Sequence, residues 1–189
     1  MRGDLTKRSR AIRERIDRWV GIPCGIGIGH TKTLAKLANH IAKSAERKPG
    51  SYPIELAQVC NLTTLPAQDL DDVLAATQVE EVWGVGRRLA AQLHEEGVHT
   101  VLDLARMDPA TVRRRWSVVL ERTVRELQGM HCIDLQDAPA PKKEIACTRS
   151  FGTAITELSQ LIEAVSEFAS RAAEKVRKQG SLASQVMVF

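Results

Sequence analysis

Aromatic residues are scarce in this sequence: three Phe, three Trp and one Tyr make up 4% of 189 residues. A core must therefore rest on Leu, Val, Ile and Ala. Long apolar runs are missing too, and none approaches the roughly 18 residues that a membrane-spanning helix needs. The opening MRGDLTKRSRAIRERIDRWV has no apolar stretch of the kind that directs secretion. It is Arg-rich, as mitochondrial presequences are, but Asp4, Glu14 and Asp17 argue against that reading. A soluble cytoplasmic chain is expected. Cys24, Cys60, Cys132 and Cys147 stand far apart, form no CxxC pair and have no histidine at zinc spacing, so they read as reduced thiols rather than disulfides or a metal site. His94 and His99 are near in sequence but lack a third ligand. There is no internal repeat and no low-complexity tract. What is present is ordinary for a globular protein, 43% hydrophobic and 26% charged. The net charge of +4 and the pI near 9.0 lean toward anionic partners without proving one.

Leu5, Ile12, Ile16 and Trp19 fall near helical spacing with Arg and Lys opposite, which predicts an amphipathic first helix. GIPCGIGIG follows and reads as a short buried strand ending in a turn. HTKTLAKLANHIAKSAERKPG then predicts a helix capped by Thr31 or Thr33, with Leu34, Leu37, Ala38 and Ile41 inward and a stop at Lys48–Gly50. From about Leu56 to Gly129 the pattern is nearly all helical. Asp108-Pro109 reads as a cap with proline in the first turn, and Leu120, Val124 and Leu127 line the last helix before Gly129 stops it. HCIDLQDAPAPKK has no period and reads as a linker. EIACTRSF and LASQVMVF are strand candidates around a long helix from about Thr156 to Gln179.

Two glycine turns could hold phosphate. GIGIGHTKT invites comparison with nucleotide-binding loops, but spacing excludes them. A P-loop needs Gly-Lys-Ser/Thr in succession, and a dinucleotide fingerprint needs GxGxxG. Close packing of strand on helix explains these glycines as well; the competing reading puts Lys32 and Lys36 on one helical face, free to meet a phosphate. WGVGRRLAAQL is more specific. A helix start exposes unpartnered N–H groups at the positive end of the dipole. Gly84 and Gly86 let a DNA backbone approach without a Cβ clash, and Gly86 is expected where the turn needs positive φ. Val85 would pin the turn to the core, and Arg87 and Arg88 would add charge. The same residues would serve a plain turn between packed helices. Arg113–Trp116, RRRW, is a second basic patch that by itself reads as a solvated face.

The hxGhG-then-helix pattern resembles the helix-hairpin-helix motif of DNA binders without sequence specificity. Longer blocks resemble a family. GIGIGHTKTLAKLANHIAK is similar to the palm of Y-family translesion DNA polymerases of the UmuC type, the type of the catalytic subunit of bacterial DNA polymerase V. VEEVWGVGRRLAAQLHEEGVHTVLDLA is similar to their thumb. VVLERTVRELQG and KKEIACTRSFG are similar to the end of the thumb and the start of the little finger. The resemblance covers nearly the whole chain. It implies an α/β plus all-α architecture: a partial palm at 1–55, a helical thumb with a helix-hairpin-helix at 56–130, a linker at 131–143 and a partial α+β little finger at 144–189. It implies damaged-DNA binding and error-prone translesion synthesis in the SOS response. Gly84, Val85, Gly86, Arg87 and Arg88 would grip the primer-template backbone, and Lys43 or Lys48 would meet the nucleotide triphosphate. A UmuD-like subunit and RecA would be partners.

The departures bear on catalysis. Family catalysis uses carboxylates to hold Mg²⁺ ions, one near the family N-terminus and others in a Ser-x-Asp-Glu motif. Neither motif occurs here, and RGDLTKRSRAIRERI resembles the helix just after that motif. Asp4 and Asp17 read as surface residues. The complete family enzyme uses Mg²⁺; for this chain no cofactor, no metal ligand and no catalytic residue is expected, and DNA binding alone is. Thr77-Gln78 stands where family members usually have Leu-Pro. The rivals are a stand-alone helix-hairpin-helix module, against which the palm-like block argues, and an enzyme completed by a separate chain.

Overall fold

The computed structural model describes residues 4–134 and 142–188. The chain divides into two units, residues 1–135 and 136–189. In the first, α1 (Leu5–Val20) starts where Asp4 accepts the Thr6 and Lys7 amides and stops at Gly21 in the left-handed region, φ 67°. The helix forms as expected, yet none of its residues is buried. Arg13 fixes it, donating to the Cys24 carbonyl at 2.9 Å and pairing with Glu46 at 3.2 Å.

β1 (Ile26–Ile28) is short and only partly buried, less than the buried strand expected. It pairs in parallel with β2 (Val59–Asn61), Gly27 opposite Cys60. β2 is buried throughout and lies where the sequence pattern suggested helix. Its three residues are too few to show a period, and the bend that sets it up rests on Gln58, φ 67°. Between the strands runs α2 (Lys32–Arg47), capped by Thr31, whose hydroxyl accepts the Leu34 amide. Its predicted inner row Leu34, Leu37, Ala38 and Ile41 is buried.

The glycines of GIGIG are explained here. A Cβ on Gly27 would lie 2.1 Å from the Asn39 nitrogen, and one on Gly29 would lie 2.5 Å from the Ala35 nitrogen. Only glycine lets β1 lie this close to α2.

The remaining helices are α3 (Ala67–Ala75), α4 (Arg87–Glu95), α5 (Val101–Ala105), α6 (Pro109–Arg115) and α7 (Val118–Leu127). Asp108 caps α6 by accepting the Thr111 amide at 2.8 Å, with Pro109 in the first turn. Thr100 and Asp103 form a reciprocal capping box on α5. One apolar cluster runs from Leu34 and Ile41 through Val79, Leu93 and Val101 to Leu120, Val124 and Leu127. As the composition implies, it contains no aromatic side chain, though Tyr52 and Trp116 pack against it. Gly129 ends the run with φ 86°.

α2 and α7 are joined by a buried carboxylate. Glu126 is fully buried. It accepts the Thr33 amide and hydroxyl at 2.9 and 2.8 Å and the Cys132 and Ile133 amides at 3.1 and 3.0 Å. The Thr31 hydroxyl donates to the Glu126 carbonyl at 2.9 Å. Burial alone would raise the Glu126 pKa; the bonds from Thr33, Cys132 and Ile133 outweigh it and hold the carboxyl below its usual range. Residues 135–141, the middle of the expected linker, lie outside the described residues.

The second unit holds α8 (Leu158–Gln179), close to the predicted bounds, ending at Gly180 with φ 68°. The flanking strands expected from EIACTRSF and LASQVMVF are not formed: 144–151 and 182–188 have no regular structure, and Phe189 lies outside the described residues. An apolar alternation becomes a strand only when another strand takes its backbone bonds. Here Lys175 of α8 donates to the Ala146 carbonyl, and just before the segment Gln179 accepts the Lys142 amide and donates to its carbonyl. No described residue of this unit is buried. Among the described residues the observed architecture is thus mostly helical with one parallel two-stranded sheet.

Candidate nucleic-acid interface

The segment before α4 is built as an anchored turn. Val79 and Val82 are buried at 0% and 2% exposure, and a 3-10 turn at Val79–Glu81 joins them. The Val79 amide donates to the His99 carbonyl and the Val101 amide to the Thr77 carbonyl, both at 2.9 Å. The base of the turn is therefore tied to the loop that follows α4. Thr77 also belongs to this base. Its hydroxyl donates to the Val73 carbonyl at 2.8 Å and lies 2.9 Å from the Tyr52 hydroxyl, so the departure from Leu-Pro is accommodated by a polar network.

Val85 points inward at 6% exposure, and its amide donates to the Val82 carbonyl at 2.9 Å. The glycines beside it are exposed, and a Cβ on either would meet nothing within 4 Å. Their backbones differ. Gly84 has φ 94° and needs to be glycine. Gly86 is the N-cap of α4 with φ −86° and ψ 171°. The positive φ expected at Gly86 is thus at Gly84; the twist needed to bring Val85 inward is taken up one residue before it.

No side chain caps α4. Its first-turn amides face outward at the positive end of the helix. Arg87 and Arg88 are exposed, and neither forms an ion pair among the described residues. Open amides, two free guanidinium groups and no Cβ in the approach make a surface suited to a phosphate backbone.

The other basic residues are placed differently. Arg113 pairs with Glu121 and Arg115 with Glu96, just past the far end of α4. Arg114 forms no ion pair among the described residues and donates to the Thr111 hydroxyl, and Glu121 is shared with Arg125. Lys32 donates to the Asp134 carbonyl. Lys36 sits over the Trp83 ring, 5.2 Å from its centre, so neither lysine is free as the phosphate reading required. The first turn of α2 is already served by the Thr31 hydroxyl and the Glu126 carboxylate, leaving GIGIGHTKT no open phosphate nest. Lys43 and Lys48 are exposed, the first beside Gly25 and the second at the end of α2.

Among the described residues no three His, Cys, Asp or Glu side chains come together as a metal cage. The residues present do not fit the Mg²⁺ ions that the resemblance brings with it, and no chemical step can be built through them. Cys60 is fully buried, and burial pushes its thiol up to about 12, which leaves it inert. No helix among the described residues is long and apolar enough to cross a membrane.

Two contributors escape the sequence pattern. Glu126 looks like one more polar residue of α7, because its donors Thr33, Cys132 and Ile133 lie far off or beyond a turn. Trp83 stands in the pattern only as the residue before the glycines; an exposed Trp beside two unpaired arginines is the available signal.

Residues 142–189 match the impB/mucB/samB family C-terminal domain. Protein SamB and Protein UmuC of Salmonella typhimurium are each 40% identical over 186 residues, 98% of this chain and 42% of the relative. DNA polymerase IV 1 of Bacillus subtilis is 24% identical over 187 residues, 96% of this chain and 40% of the relative. A solved insertion ternary complex of Dbh DNA polymerase superposes with a TM-score of 0.49 at 17% identity, over 90% of this chain and 45% of that one. The chain spans about two fifths of the length of these curated relatives. It belongs to the impB/mucB/samB/umuC family, the UmuC-type members of the Y-family DNA polymerases.

Proposed function

We propose that this chain binds the primer-template backbone of damaged DNA through a helix-hairpin-helix at Gly84–Arg88, as part of error-prone translesion synthesis by a UmuC-type polymerase in the SOS response. The observation that carries this is the uncapped start of α4, with Val85 buried, Gly84 and Gly86 open and Arg87 and Arg88 unpaired among the described residues. Family membership supports it, and so does the name of the relative DNA polymerase IV 1. Lys43 or Lys48 serves the incoming triphosphate. A UmuD-like subunit, RecA and a cytoplasmic setting complete the proposal. Backbone amides and guanidinium groups contact what every DNA sequence shares, so binding is without sequence preference.

The test is a titration of duplexes of unrelated sequence at several salt concentrations. Similar affinities are expected, with a steep fall as salt rises. Replacing Arg87 and Arg88 together by Ala should lower the slope of log affinity against log salt by about one for each phosphate no longer held. An unchanged slope in the folded double variant would remove these residues from the interface.

A further inference from the structure

Trp83 is the one large aromatic in the hairpin, and 48% of its surface is exposed. Its neighbours Val82 and Val85 are buried at 2% and 6%, so the turn sends the valines inward and leaves the indole at the surface. The Lys36 ammonium lies 5.2 Å from the ring centre. An indole has two faces, and the cation occupies one. A lysine held there also brings positive charge to the same spot. The ring stands three residues before the open amides of α4, a reach of at most about 11 Å along the chain. Aromatic ring, cation and phosphate-suited amides together are the elements with which proteins hold unpaired nucleotides.

Resting on the hairpin reading above, we propose that Trp83 and Lys36 form a stacking site for an unpaired nucleobase, next to the backbone grip of Gly84–Arg88. Within a duplex both faces of each base are covered by neighbouring bases. Away from the ends of a duplex an indole can stack only where a base is unpaired, and a single-stranded overhang offers several such bases where a blunt end offers one face of its last pair. The site therefore distinguishes a primer-template junction from continuous duplex, which backbone contacts alone do not. It reads no sequence, because every base has a π-face. It also gives Lys36 a role: lying over one face of Trp83, it supports the ring and leaves the other face to the base.

Fluorescence anisotropy with end-labelled DNA tests this. Three probes are compared: a blunt duplex, the same duplex with a single-stranded overhang, and that overhang with abasic sugars in place of its bases. The wild-type chain should bind the overhang about tenfold more tightly than the blunt duplex. The preference should persist as salt rises, because stacking releases no counterions. Trp83→Leu should abolish the preference and leave blunt-duplex affinity unchanged; Trp83→Phe should keep part of it. Abasic sugars should have the same effect on wild type as Trp83→Leu. If Trp83→Leu weakens blunt and overhang binding equally, the ring only supports the turn and the proposal is overturned. It is overturned equally if the bases of the overhang make no difference to wild type. The hairpin reading fails separately: Arg87→Ala with Arg88→Ala would then leave blunt-duplex binding intact while the Trp83-dependent preference survived.

Discussion

Glu126 is the residue on which the junction of α2 and α7 turns. Its carboxylate takes four hydrogen bonds with no cation nearby among its bonded partners. Glu126→Gln keeps the shape but places an NH₂ against donors, so a loss of about 2 kcal/mol is expected in urea unfolding. The pH dependence has a definite sign. The folded pKa is lowered, so the stabilisation is present above the unfolded value of about 4.3 and is lost as pH falls through the folded one. Asp103 and Asp108 are lowered as well, in Asp103 hydrogen bonds outweighing burial and in Asp108 through the Thr111 side-chain bond first. The Glu126 share is therefore the difference between wild type and Glu126→Gln, and it should shrink below about pH 4.3. A difference that stays constant on acidification through that range would contradict it. At the hairpin the two glycines should separate. Gly84→Ala should cost roughly 1 kcal/mol because of its φ of 94°, whereas Gly86→Ala should change stability by no more than about 0.5 kcal/mol.

The elements legible in the sequence are those with a local signature. Asp108-Pro109 and the Leu120, Val124, Leu127 row mark α6 and α7, and the Thr31 cap and inner row mark α2. β2 is not legible, because three residues carry no period and its partner lies on the far side of α2. The strands expected beside α8 fail for the opposite reason: their pattern is clear, but pairing depends on a neighbour that no pattern within a segment supplies. The glycine contacts of β1 can be probed directly. Gly27→Ala drives a Cβ to 2.1 Å from backbone nitrogen of α2. Backbone cannot yield as a side chain tip does, so β1 should be forced off α2 at a cost of at least about 2–3 kcal/mol. A urea midpoint equal to that of wild type would show that strand and helix can part freely.

On the scale of the whole chain, the two units differ in how they are held. Residues 4–134 enclose an apolar cluster, whereas in the second unit Leu158, Ile162, Val186 and Met187 are 56–80% exposed. Apolar surface of this kind drives association. Sedimentation velocity should show concentration-dependent association, and α8 amides should exchange faster than those of α2 and α7. A monodisperse monomer at high concentration with Val186 protected would mean that this surface is covered. The candidate interface is legible to a similar degree as the fold. Gly84–Arg88 stands out because a helix start with flanking glycines is a local pattern. The engagement of Lys32, Lys36, Arg113 and Arg115 is hidden, because each partner lies on another element or beyond a turn. With no metal cage among the described residues, a chelator should leave DNA affinity unchanged.

Duplex binding by Gly86→Val at several salt concentrations bears most directly on the hairpin. Position 86 has room for a side chain and an extended backbone that valine adopts readily, so circular dichroism should match wild type. The added β-branched side chain would stand where the DNA backbone must approach the α4 amides. Affinity should fall at least about tenfold for every duplex sequence alike, the loss of one or two charged hydrogen bonds. Equal binding by folded Gly86→Val and wild type across the salt series would mean that Gly-Val-Gly is a turn between packed helices and nothing more.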